Sequence, residues 1–549
     1  MCTNRAEKKA IAKERRKKIN KIFRGMASNM LKHSFLTFRY YLDLIIDTIF
    51  GLFWESKRQP FPDLDKRHAM LENSALTLAY KIRTKELKSE DLVNACIERI
   101  RIVNPILNAV TDERFEEALK DAREVDNMIE EGLSREYFKK RPFLGVPFTT
   151  KESTAVEGML NTLGLVSRRY TRAHEDAEAV RLMKAAGAIP LAVTNVPEVN
   201  KWQECRNMLF GQTNNPHHAG RSPGGSSGGE AALAAAAATP IALCSDIGGS
   251  TRMPAFYCGL FGYIPTAGCT NLRGVALRTG EAPSMASISF VSRHLWDLAP
   301  LTRVVAGEKA ELLGLDRDVA IDKIKIYFTE TAQDMRVSPI SAELRDIMRK
   351  AIAVLANLAP SGENAPKPYY HEGFNHMYSL WRHAMTKEVD SFPKLLANNN
   401  GEAKAIVELP KKLLGLSQFT LAAILKLVDE QILPQVNKEW AEQLTEELKQ
   451  DLLSTLGTDG VLVFPSAPSV APYHYTLLLK PFHFAYWGIF NVLKVPVVQV
   501  PLGLNKNGLP LGLQVVAAPY HDHLCLEVAK HLSSALGGSI PPWMSRFCR

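Results

Sequence analysis

Residues 230–238 read Glu-Ala-Ala-Leu-Ala-Ala-Ala-Ala-Ala and are stopped by Pro240. This run forms a small-residue helix. Glycine-rich loops stand on both sides of it. Gly224-Gly225-Ser226-Ser227-Gly228-Gly229 leads in, and after an apolar strand over 241–244 the chain turns through Ser245-Asp246-Ile247-Gly248-Gly249-Ser250. Loop, helix, strand and loop in close succession belong to an α/β sheet. The rest of the chain repeats the alternation. Apolar strands are expected over 143–150, 189–194, 461–464, 495–500 and 511–516. Helices are expected over 74–103 (two, the second capped by Ser89), 175–187, 338–358 and much of 402–455. The fold class is therefore α/β: one domain over 65–540, a large twisted mixed sheet covered by helices on both faces.

Charge separates the body from its N-terminus. Of a net charge of +9, the first 25 residues hold +8, from ten Lys/Arg against two acids, which leaves +1 for the other 524. A nucleic-acid enzyme would carry basic surface on its body; here the basicity is an arm over 1–34, suited to an anionic membrane surface. The stretch 35–54, FLTFRYYLDLIIDTIFGLFW, is an apolar, membrane-associated helix. Arg39, Asp43 and Asp47 follow at i, i+4 and i+8 and stack on one helix face. Its eleven Leu, Ile and Phe favour insertion by roughly 3–7 kcal/mol, whereas each Asp near the centre costs about 2.5–3.5 kcal/mol. That balance disfavours a clean solitary span. The helix lies in the interface, turns its charged stripe to a partner helix, or packs on the protein itself. A monotopic anchor with a cytosolic body is favoured, since the chain has no Asn-x-Ser/Thr sequon. Residues 409–428 are a second apolar stretch flanked by Lys411, Lys412 and Lys426, either a core helix or one that dips into lipid.

The eight cysteines include no C-x-x-C pair, so neither a cysteine zinc site nor a disulfide framework is expected. Gly224–Gly228 spells G-x-S-x-G, but loop rather than strand precedes it, so it is no nucleophile elbow. It also lacks the Lys-Ser/Thr of a phosphate-binding loop. The loop does open a helix, so the Ser226 and Ser227 hydroxyls gather at a positive helix end. Ile247, Gly248, Gly249 and Ser250 present consecutive N–H groups of the kind an oxyanion needs. A serine nucleophile needs a base. None of the histidines, His217-His218 and His521/His523 included, is a persuasive partner. Lys151, at the end of the apolar strand, can serve if burial lowers its pKa.

Together these pieces resemble the amidase signature family: Lys151, Gly-Gly-Ser226-Ser227-Gly-Gly and Asp246-Ile-Gly-Gly-Ser250. The resemblance extends over about 70–535 and takes in Thr194-Asn195-Val196-Pro197-Glu198, Phe210–Pro216, Arg252-Met253-Pro254-Ala255 and Gly508–Val516. Phe482–Tyr486 and Pro501–Asn505 are similar to the fatty-acid amide hydrolases, type 2 in particular. The resemblance implies a Ser-Ser-Lys triad with Ser250 as nucleophile, Ser226 as bridge after a cis peptide bond, and Lys151 as terminal base. It implies an oxyanion hole from the N–H groups of Ile247, Gly248, Gly249 and Ser250. It also implies support from Ser227, Asp246 and Arg252, and a substrate contact at the backbone of Asn200. No metal or organic cofactor is implied. The expected partners are a lipid amide and a membrane surface reached through 35–54 and 409–428, with no nucleic acid and a homodimer left open. The expected location is an endomembrane or lipid droplet. Short amides or esters, a tRNA-dependent transamidation subunit and a non-catalytic scaffold are the rival readings.

Overall fold

The computed structural model describes residues 30, 32, 34–330, 334–358, 364–389 and 391–548; most of the basic arm lies outside them. Eleven strands form one mixed sheet: β1 (Val110–Glu113), β2 (Pro147–Lys151), β3 (Ile189–Thr194), β4 (Ile241–Asp246), β5 (Phe261–Ile264), β6 (Ser287–Ser292), β7 (Lys325–Phe328), β8 (Lys367–Pro368), β9 (Gly460–Pro465), β10 (Val497–Leu504) and β11 (Pro510–Ala517). Their order across the sheet is β1-β3-β2-β4-β6-β5-β10-β11-β9-β7-β8. Helices flank it, as the alternation requires. The helices used below are α1 over 34–54, α2 (Gly228–Ala235), α3 (Arg252–Cys258), α4 (Met377–Met385), α5 (Ala405–Leu413), α6 (Leu421–Gln431) and α7 (Ala485–Leu493).

Strand β2 pairs in parallel with β3 and β4, and β4 pairs antiparallel with β6. These central strands are buried along their whole length, the polar ends Thr149–Lys151 and Ser245–Asp246 included. Five strands were absent from the sequence reading: β1, β5, β6, β7 and β8. Strand β1 is Val-Thr-Asp-Glu on the sheet edge, and β8 has two residues. Strand β6 alternates serine with Ile, Phe and Val, yet every residue is buried, so its serines resemble a solvated face that does not exist.

Every residue of α2 is buried. Alanines 231, 234 and 235 pack with Ala242, Cys244, Ala255 and Cys258 in a cluster of small side chains between α2, β4 and α3. The approach is close enough that a Cβ on Gly229 would meet the Thr194 Cβ at 2.8 Å and Asn195 backbone atoms at 2.9 Å. Alanine and glycine are therefore steric requirements here. Helix α2 starts at the serine-glycine loop and strand β4 ends at the next one, so this packing fixes both loops.

Helix α1 is amphipathic in the opposite sense to a core helix. Its charged stripe turns to the body: Arg39 Nε donates to Ser338 Oγ at 3.3 Å and Lys480 Nζ meets Asp47 at 2.7 Å and Asp43 at 3.9 Å. Phe38, Leu42, Ile45, Ile49, Leu52 and Phe53 face outward. Among the described residues no helix is long and apolar enough to cross a membrane. The stretch 409–428, read as one helix, is divided between α5 and α6 by a turn over 414–420. Ile406, Leu413, Leu414, Leu416 and Ile432 are exposed on this hairpin, while Ala423, Ile424 and Leu427 are buried.

Candidate active site

Lys151 is the last residue of β2 and is fully buried. Its Nζ lies 2.9 Å from Ser226 Oγ, 3.0 Å from Ser245 Oγ and 3.5 Å from the Ser245 carbonyl. No carboxylate forms an ion pair with it among the described residues. Glu230, the nearby acid on α2, is occupied by the hydroxyls of Thr149 at 2.8 Å and Thr194 at 2.7 Å, and burial pushes its carboxyl up to about 8. Burial lowers the Lys151 ammonium to about 8, against weaker opposing effects of Cys244, Cys205, Asp246 and Glu230. A neutral amine has two N–H groups and one lone pair. Two donations to the Ser245 oxygens leave the lone pair for the Ser226 hydroxyl. Ser245 lay within the second loop of the sequence reading but was not singled out, because nothing local marks a serine as a lysine's holder.

Ser226 follows the cis peptide bond Gly225–Ser226 and is fully buried. The Ser227 N–H donates to the Ser250 carbonyl at 3.1 Å, which ties the two glycine loops together. Ser227 Oγ reaches the Ser245 carbonyl at 3.5 Å. Lys151, Ser226, Ser245 and Ser250 line one small cavity of about 40 Å³. Ser250 Oγ makes no hydrogen bond among the described residues; it shares the wall of this cavity with Ser226.

The second loop is shaped by Asp246. Its carboxylate accepts from the N–H of Gly249 at 2.8 Å and of Thr251 at 2.9 Å, and from Arg252 Nη2 at 3.1 Å. Of the four N–H groups expected to hold an oxyanion, that of Gly249 is engaged by Asp246 here. The N–H groups of Ile247, Gly248 and Ser250 have no acceptor among the described residues. Trp381 Nε1 on α4 donates to the Ile247 carbonyl at 3.0 Å. Gly249 sits at φ +105°, and a Cβ there would come within 2.5 Å of the Trp487 Cβ on α7. Arg252 is held further by Asn491 Oδ1 at 2.7 Å and Gln514 Oε1 at 2.9 Å, two partners the sequence reading missed.

Ser250 also faces a larger cavity of about 250 Å³. Ile247 and Gly248 border it beside Trp381, Tyr378, Phe482 and Phe484, with Leu425 and Leu478 further along the wall. Lys426 and Asp429 on α6 also line it, ion-paired at 2.8 Å, with Lys426 Nζ 5.4 Å from the centre of the Trp381 ring. Asn200 borders both cavities. Its N–H is turned to the Pro197 carbonyl at 2.9 Å, its Nδ2 donates to Ser153 at 2.9 Å, and its buried Oδ1 has no partner among the described residues. Neither His217 nor His218 lines the two cavities.

The Amidase family model matches residues 91–526. The chain belongs to the amidase family. It is 39% identical over 481 residues to fatty-acid amide hydrolase 2 of Homo sapiens, covering 85% of this chain and 90% of that protein. Fatty-acid amide hydrolase 2-A of Danio rerio is 38% identical, with 85% and 89% covered. Among solved structures, that of a 6-aminohexanoate cyclic dimer hydrolase complexed with substrate superposes with a TM-score of 0.67 at 24% identity, over 85% of this chain and 97% of that one. This amidase is accordingly a hydrolase acting on amide bonds.

The amidase's buried Asp246–Arg252 pair is the stability-critical part of the site. Burial alone would raise the Asp246 carboxyl, but Arg252 and the Thr251 and Gly249 N–H groups overcome it and hold the carboxyl below its ordinary range. The native pKa is lower than the unfolded one, so the stabilisation is complete above about pH 4 and is lost as pH falls through the native value. Asp246→Asn strands a buried guanidinium at a cost of about 3–5 kcal/mol. The variant should melt well below the wild type at pH 7, and the gap should narrow below about pH 4. Equal melting temperatures at neutral pH would remove this role.

Proposed function

We propose that this amidase is a serine hydrolase of fatty-acid amides, N-acylethanolamines and primary fatty amides among them, acting through Ser250, Ser226 and Lys151. The observation that carries the reading is a buried, uncompensated lysine 2.9 Å from a serine hydroxyl, on a cavity wall shared with a second serine. Neutral Lys151 takes the proton of Ser226, which takes that of Ser250. Ser250 Oγ bonds to the amide carbon, and the N–H groups of Ile247, Gly248 and Ser250 stabilise the oxyanion. The relay then returns the proton to the leaving nitrogen as the C–N bond breaks, which an amide requires because an unprotonated amine leaves badly. Water, deprotonated by the same relay, cleaves the acyl ester and restores Ser250. Lys151 and Ser226 border only the small cavity, so the amine departs on that side, where space suits a small head. The aromatic cavity on the other side of Ser250 takes the acyl chain.

Lysine must be uncharged to act, so kcat/KM should rise with pH and level off near 8, falling about tenfold per unit on the acid side. Lys151→Ala should lose about 10²–10⁴-fold in rate, and Ser250→Ala should lose both turnover and labelling by a fluorophosphonate. Full amidase activity at pH 7 in Lys151→Ala, or labelling of another serine, would sink the triad.

The Lys426–Asp429 pair on the wall of the large cavity favours a second reading, in which the acyl chain is short. A panel of amides from C2 to C20, with ammonia and ethanolamine heads, decides between them. The lipid reading expects kcat/KM to climb with chain length; a maximum at C2–C6 would reverse it.

The same reading includes a monotopic membrane contact through the outward face of α1 and the α5–α6 hairpin. Leu433, just beyond α6, is both exposed and part of the large cavity's wall, which supports a membrane-side route into it. Wild type should float with anionic vesicles, and Leu413→Asp/Leu414→Asp should float less. Unchanged flotation would take the hairpin out of the contact.

A further inference from the structure

Helix α1 does more than present an apolar face. Its stripe of Arg39, Asp43 and Asp47 lands on one short segment of the body. Asp47 and Asp43 hold Lys480, whose side chain is 2% exposed. Arg39 holds Ser338, and the Ser338 hydroxyl meets His483 Nε2 at 2.8 Å. Both links therefore end on residues 480–483. The same residues form the cavity wall from the inside. Pro481 and Phe482 line it, the Pro481 carbonyl accepts from Gln203 Nε2 at 2.8 Å, and Phe482 packs on Tyr378 with ring centres 4.3 Å apart.

We propose that α1 is a working part of the acyl-binding channel, its Asp43/Asp47–Lys480 clamp positioning the wall at Pro481–Phe482. The clamp acts on the reaction through that wall, so these are positioning residues. The inference rests on the large cavity being the acyl site. Lys480 has no other carboxylate within ion-pair distance among the described residues. Without the two aspartates a buried ammonium is left uncompensated, and the turn over 477–483 moves to hydrate it. The reacting groups on β2 and the two glycine loops lie on other elements and stay in place.

The test uses the full-length protein in detergent micelles, so that membrane attachment does not contribute. Asp43→Asn/Asp47→Asn is compared with wild type on a C4 and a C16 amide, with fluorophosphonate labelling rate and melting temperature measured alongside. The expected result is a rise in KM of about tenfold or more for the C16 amide, with kcat for the C4 amide and the labelling rate within about twofold. The charge-swapped Asp47→Lys/Lys480→Asp protein should recover most of the C16 affinity, which a general loss of stability would not allow. An equal effect on both chain lengths, no effect on either, or a failed swap in a folded protein overturns the proposal. Wild type that ignores C16 amides would instead sink the lipid reading, and the comparison is then made on the longest amide it cleaves.

Discussion

An amine is held inside this protein without a counter-charge, and the surrounding structure is arranged to keep it so. Lys151 ends a strand buried from both sides. The two carboxylates nearest to it are diverted, Glu230 to two threonines and Asp246 to Arg252. Moving an amine from 10.5 to about 8 disfavours the ammonium by on the order of 3 kcal/mol. A single carboxylate turned toward Nζ would cancel that, so the position of each acid matters as much as that of the lysine. Helix α2, glycine and alanine apart from Glu230 and Leu233, serves the same end. It brings Ser226 close to the strand without adding side-chain bulk, and it carries Glu230 where the threonines can take it.

The candidate site was legible in the sequence because its pieces lie in short motifs. Lys151 ends an apolar run, and the two glycine loops flank a helix and a strand of small residues, so candidate side chains could be picked out, their roles coming from the resemblance. The supports were not legible. Arg252 finds Asn491 and Gln514 across 239 and 262 positions, and Ile247 is held by Trp381 from a helix that no pattern links to the loop. A row of amides looks uniform in sequence; only the fold shows that Asp246 engages one of them, the Gly249 N–H.

The N-terminal helix shows how far spacing can go. Arg39, Asp43 and Asp47 were recognisable as one stripe, which is a property of the helix alone. The two aspartates meet Lys480, more than 400 positions away, and Arg39 meets Ser338; nothing in the stripe identifies either. The serines of β6 show the opposite failure, since alternation that normally marks a wetted face is buried on both sides by neighbouring strands and helices.

The proposed reacting groups, Lys151, Ser226 and Ser250, lie at the end of β2 and on the two glycine loops, all between positions 151 and 250. The aromatic walls come mainly from residues 378–433 and 478–484. On the proposed reading, hydrolysis and choice of substrate are written in separate stretches of one polypeptide. A lineage can redraft the later stretch, exchanging one guest for another, and inherit the earlier stretch unaltered.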